Sequence, residues 1–82
     1  MTRVTLIGKP GCHLCDVARV VVADECDAAG VAWDERSILD DAELAEKYWE
    51  WIPVVLVDGV KVAHWRVDPQ ELRRTILGGL ST

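Results

Sequence analysis

Apolar residues change their spacing twice along the first forty positions of the chain. Arg3-Val4-Thr5-Leu6-Ile7 is a short run rich in β-branched residues that stops at Gly8 and reads as a buried strand. After the Pro10-Gly11 turn signal the period lengthens to steps of three and four. Cys15, Ala18, Val22 and Cys26 then fall on one face. This predicts a helix from near Cys12 to about Ala29, stopped by Gly30. Val17, Val20 and Val21 cover an adjoining face, and Asp16, Arg19, Ala23 and Asp27 the opposite side. Two apolar faces predict a helix packed between a sheet and another helix. Residues 31–38 return to alternation and read as a second strand.

The second half carries stronger punctuation. Asp40 or Asp41 is a candidate N-cap for a helix running to about Tyr48. Residues 52–57 form a third strand with Pro53 at its start, where the missing N–H costs no ladder bond. Asp58-Gly59 is a hairpin turn, so residues 60–65 are a fourth strand antiparallel to the third. Asp68 is an N-cap, Pro69 the first helical residue, and Glu71 the closing member of a capping box. The last helix is expected to end at Gly78 and Gly79, leaving Leu80-Ser81-Thr82 as a frayed tail. The order is βαβα followed by ββα. The first half needs a crossover between two parallel strands, and the second adds an antiparallel hairpin to the same sheet. With no repeat, linker or low-complexity segment, residues 1–82 make one domain.

Composition narrows the function classes. A net charge of -5 argues against nucleic acid or an anionic membrane as partner, since phosphates need clustered Lys and Arg. The first ten residues are too short in apolar content for a signal peptide and too polar for an anchor, so a cytoplasmic protein is expected. Three cysteines do not make a secreted disulfide framework. In a reducing compartment a disulfide is catalytic or transient more often than structural.

The chemistry gathers at Cys12-His13-Leu14-Cys15. A thiolate, not a thiol, attacks a disulfide, and unpaired amides at a helix N-terminus favour the anion. Cys12 sits where that terminus is expected, with Lys9 as a nearby cation, and is the candidate nucleophile. Cys15 lies one turn in, on the apolar face and beside Asp16. Burial and a neighbouring negative charge keep such a thiol protonated, which suits a resolving role. A protonated His13 would favour the Cys12 thiolate and make the disulfide more oxidising. The competing reading is half of a zinc site. Four ligands are needed, and only Cys26, His13 and His64 remain, with Cys26 deep in the same helix. No metal site is therefore expected, and Cys26 reads as a small core residue. Trp33 reads as packing in the second strand.

A strand, a turn, C-x-x-C at a helix start, a later x-Pro entering a strand and a hairpin followed by a helix resemble the thioredoxin fold. Lys9, the spacer Pro10-Gly11, then Cys12 and Cys15, together with Ile52-Pro53, resemble the small bacterial glutaredoxin-like proteins over nearly the whole chain. The resemblance implies an α/β thioredoxin fold, βαβαββα, with a mixed four-stranded sheet and helices on both faces. It implies a dithiol–disulfide oxidoreductase with Cys12 attacking and Cys15 resolving, and Lys9 and His13 tuning the charge. It also implies a cis bond before Pro53, with the Ile52 backbone offered to an extended substrate. Trp51 and Trp65, with Arg66, would then rim the site for a protein or low-molecular-weight thiol. No cofactor is implied beyond the Cys12–Cys15 disulfide. The implied partners are a disulfide substrate and a reductant, either a reductase or a thiol such as glutathione, acting on a monomer.

Two segments depart from the glutaredoxin pattern. Trp51-Ile52-Pro53 stands where Thr-Val-Pro is usual, and His64-Trp65-Arg66-Val67-Asp68 stands where a Gly-Gly-Asp turn would hold the glutathione carboxylate. Two other readings stay open: a thioredoxin-fold adaptor whose cysteines do little chemistry, and metal or iron–sulfur binding through the cysteines.

Overall fold

The β-branched run at the start becomes the middle of the sheet. In the computed structural model, which describes residues 2–80, strand β1 spans Val4–Gly8, and Val4, Leu6 and Ile7 are wholly buried. A strand covered on both faces has no polar side to show, which is why it reads as an almost continuous apolar run. Parallel to β1 on one side lies β2, Trp33–Ser37, with Val4 opposite Trp33 and Gly8 opposite Ser37. Antiparallel on the other side lies β3, Val54–Val57, followed by β4, Val60–His64, giving the order β2-β1-β3-β4.

Helix α1, His13–Ala29, joins the two parallel strands. It buries Cys15, Ala18, Val22 and Cys26, the stripe its spacing predicts. Gly30 takes the left-handed conformation at φ 68° and its amide bonds the Asp27 carbonyl, while the Val31 amide bonds that of Cys26. This closes the helix in the glycine-dependent manner expected. Helix α2, Ala42–Tyr48, starts at Asp41, whose carboxylate accepts from the Glu43 and Leu44 amides. Helix α3 runs Pro69–Leu80, with the Asp68 carboxylate accepting from the Gln70 amide.

The two faces of the sheet carry separate cores. Val4, Leu6, Val55 and Val57 meet Ala18, Val22 and Cys26 of α1 and Leu72 and Ile76 of α3. On the reverse face Ile7 and Val54 meet Tyr48 of α2, flanked by Ile38, Leu44, Ile52 and Leu56. The alternation of Leu6 with Ile7 and of Val55 with Val54 is the period-two signature of a strand feeding both layers. Glu25 of α1, only 5% exposed, is paired with Arg73 of α3 at 2.7 Å and ties the two helices of one layer together. Among the described residues no helix is long and apolar enough to cross a membrane.

Several expected boundaries move. The second apolar face of α1 is open in part: Val17 is 51% and Val20 61% exposed, because α3 and the sheet share the Ala18–Val22–Cys26 stripe, whereas Val21 packs against that core. Strand β2 is shorter than residues 31–38 because Val31 is drawn into the helix cap. Pro53 precedes β3 instead of opening it. Strand β4 stops at His64 because Trp65 has φ 61° and leaves the strand conformation. Gly78 continues α3, which runs to Leu80. Residues 81–82 of the expected tail lie outside the described residues.

Candidate redox site

The site begins where β1 ends. Gly8 closes the strand, and Gly11, at φ 75°, turns the chain into α1. Cys12 is the N-cap, with extended backbone at φ -96° and ψ 114°. Its sulfur accepts a hydrogen bond from the Cys15 amide at 3.3 Å, and its carbonyl accepts the first helical bond from Asp16. The Cys12 side chain thus stands in the place a serine or aspartate usually takes, in front of the unpaired amides of the first turn. Cys12 is partly exposed and Cys15 is 0% exposed, and both are free thiols.

Burial, then the bond with the Cys12 side chain, pushes the Cys15 thiol up from 9.0 to about 11. The main chain of Lys9 pulls the other way, and Asp16 adds the smallest push. Asp16 is itself paired with Arg19 at 2.9 Å. The expectation of a protonated Cys15 therefore rests on burial far more than on Asp16.

The seat of Cys15 is a glycine that sequence reasoning took only as a strand stop. A Cβ on Gly8 would lie 2.9 Å from the Cys15 sulfur and 3.2 Å from its Cβ. Only a bare backbone at residue 8 lets the first turn of α1 come this close to the sheet. The visible signal was a glycine ending an apolar strand just before the two-cysteine motif.

Ile52-Pro53 is the other sequence-predicted part of the candidate site. The bond between them is cis. Since Ile7 pairs with Val54, the next residue, Pro53, lies at the same end of the sheet from which Gly8 leads to Cys12. Pro53 is buried, and among the described residues no hydrogen bond engages the Ile52 N–H or C=O. Trp51 and Trp65 are brought together: their rings stack at 5.5 Å and 18°. His64 meets both edge-on, at 5.1 Å from Trp51 and 4.9 Å from Trp65, and the Lys61 ammonium lies 4.9 Å from the Trp51 ring. The place of His64 and Lys61 in this cluster had no signal in the sequence.

Of the remaining candidates, Lys9 is exposed on the turn before Cys12, and His13 is exposed as the first residue of α1. Arg66 is exposed and borders, with Leu14, Val17, Val21, Trp65 and Val67, a largely apolar cleft of about 250 Å³ alongside α1. Trp33 packs against the core of the α1–α3 layer, as expected of it. Cys26 is fully buried in that core, and burial, then the charge of Glu25, raises its thiol above the ordinary value. Among the described residues no three His, Cys, Asp or Glu side chains gather as a metal site.

A four-stranded sheet of order β2-β1-β3-β4, a helix capped by the first of two cysteines and a cis-proline at the same end define a thioredoxin-fold protein. Residues 3–77 match the family model described as Glutaredoxin-like domain (DUF836), and the chain belongs to that family. A crystal structure of the structural-genomics target protein XcR50 from X. campestris is similar, with 30% identity over 92% of this chain and 96% of that one, at a TM-score of 0.75. Thioredoxin 1 from Thermosipho africanus shares the fold at 11% identity and a TM-score of 0.69, covering 96% of this chain and 94% of its own. Glutaredoxin 1 from Francisella tularensis, complexed with cacodylate, does so at 20% identity and 0.54, over 100% of each chain. No curated protein matches the chain.

Proposed function

We propose that this chain is a thiol–disulfide oxidoreductase working through the dithiol Cys12 and Cys15. The observation that carries the reading is the division of the two sulfurs. Cys12 is partly exposed at the mouth of a helix N-terminus, while Cys15 is buried beneath it with its amide bonded to the Cys12 sulfur. An accessible sulfur facing helix amides suits attack, and a buried, protonated one suits resolution.

The cycle balances with no resident cofactor. The Cys12 thiolate attacks one sulfur of a substrate disulfide, the substrate S–S bond breaks, and the leaving thiolate takes a proton. Cys15 then loses its proton, and its thiolate attacks the Cys12 sulfur of the mixed disulfide. The second substrate thiol departs, and the protein is left with a Cys12–Cys15 disulfide. Two electrons have passed to the substrate. A reductase or a low-molecular-weight thiol, glutathione or another, returns them. Lys9 and His13 adjust the charge beside Cys12, and Ile52, Pro53, Trp51, Trp65 and Arg66 form the surface against which the substrate lies. A reducing compartment such as the cytoplasm suits this chemistry, because there the dithiol is regenerated.

The test is turnover of a small mixed disulfide by wild type, Cys12→Ser and Cys15→Ser, with glutathione or thioredoxin reductase as alternative reductants. Loss of all turnover in Cys12→Ser is expected. Undiminished turnover in Cys12→Ser would refute the proposal. Activity retained by Cys15→Ser with glutathione assigns a monothiol route, and its loss a dithiol route.

A further inference from the structure

Trp65 is a bulky residue held where glycine is the usual occupant. Its φ is 61°, and the carbonyl of His64 accepts from the Arg66 amide at 2.7 Å to close a three-residue turn around it. Such a turn is strained for a large side chain and persists only where its surroundings over-determine it. Its hydrogen bonds and its ring stack all go to one segment. The Trp65 amide donates to the Pro53 carbonyl at 2.9 Å and, more weakly, to that of Trp51 at 3.4 Å. Its indole N–H donates to the Glu50 carbonyl at 2.9 Å, and its ring stacks on Trp51. Residues 50, 51 and 53 are thereby fixed by one residue, and between the last two lies Ile52, whose N–H and C=O no described residue uses.

We propose that Trp65 is a positioning residue for the redox reaction, and the inference rests on the oxidoreductase reading above. It holds the Ile52 main chain at the end of the sheet from which Gly8 leads to Cys12, so that the Ile52 N–H and C=O pair with the extended backbone of a peptide or protein disulfide. Beyond the ring surface it offers to any substrate, it acts on backbone-bearing substrates through Ile52, and it takes no part in the exchange of sulfurs. The side chain explains why the left-handed turn carries no glycine. A glycine would remove the strain but also the indole bond and the ring stack, leaving residue 65 only its main-chain amide to hold the Glu50–Pro53 segment.

The prediction separates substrates that have a backbone from those that do not. For wild type, W65F and W65G, kcat and KM are measured with a peptide disulfide and with a small disulfide lacking peptide groups. W65F keeps an aromatic ring for the stack but loses the indole donor. Its preference for the peptide, as the ratio of the two kcat/KM values, should fall about 2–10-fold through KM, the range of one hydrogen bond. W65G should fall further. An equal loss for both substrates, or an unchanged ratio, overturns the proposal. Amide hydrogen exchange reads the same clamp without turnover. The residue-65 amide should exchange several-fold faster in W65F than in wild type, with β1 unaffected, and equal rates overturn the proposal. Wild type that exchanges no disulfide at all refutes the oxidoreductase reading instead, a result separable from failure of the clamp. W65F carries the comparison by itself should W65G not fold.

Discussion

The Cys15 sulfur rests on the backbone of Gly8, so near that a methyl group on residue 8 would stand 2.9 Å from it. The buried thiol is thus seated by the last residue of the central strand. Gly8→Ala forces the first turn of α1 away from the sheet. A loss of about 1–3 kcal/mol in urea unfolding is expected, as for an overpacked core. Closure of the Cys12–Cys15 disulfide after addition of an oxidant should slow in the same variant. Unaltered stability together with unaltered closure would show that Gly8 is not a seat.

The reach of the sequence can be judged at this same spot. The buried stripe of α1 was legible because Cys15, Ala18, Val22 and Cys26 repeat at helical spacing, and the C-cap because Gly30 takes a conformation most residues avoid. The open flank at Val17 and Val20 was not legible. Periodicity says that a face is apolar, and only tertiary placement says whether anything covers it. The continuation of α3 through Gly78 was hidden for a related reason. A glycine costs a helix only about 1 kcal/mol, and the burial of Leu72 and Ile76 anchors the helix it belongs to. The turn at Trp65 is set by carbonyls at Glu50, Trp51 and Pro53, distant in sequence, and no local pattern announces it. The place of Cys12 and Cys15 at a helix start and the cis bond at Ile52-Pro53 were legible because they sit in a recurring motif.

The raised Cys15 thiol sets a pH dependence with a definite sign. Burial, chiefly, pushes it from 9.0 to about 11, so the neutral thiol is favoured in the folded protein. Its share of stability is complete below the unfolded value and is lost as pH rises from 9.0 through about 11. Cys26 is raised too, by burial first and then Glu25, and acts in the same direction. Urea midpoints of the reduced protein should fall on moving from about pH 8 to about pH 10.5, by on the order of 2 kcal/mol in stability. A midpoint that rises over this range would contradict the assignment.

Catalysis should show the opposite slope. The resolving step needs the Cys15 thiolate, so its rate should climb about tenfold per pH unit through the neutral and mildly alkaline range. Quenched-flow decay of the Cys12 mixed disulfide measures this step directly. A flat profile would mean that Cys15 is not the group being deprotonated.

His13 stands exposed at the first position of α1, next to Cys12. His13→Val removes a titratable ring from that position without touching the core. The fold should be retained and the redox potential should move to more reducing values, as read by equilibration with a thiol–disulfide buffer. An unchanged potential removes His13 from the mechanism.

In the proposed cycle Cys12 attacks and Cys15 resolves. Mass spectrometry of Cys15→Ser after mixing with a peptide disulfide tests it most directly. A stable adduct of one peptide thiol on Cys12 is expected, while wild type passes through that adduct and ends two hydrogens lighter, with both peptide thiols released. An adduct on Cys26, or no adduct on Cys12 in Cys15→Ser, would contradict it.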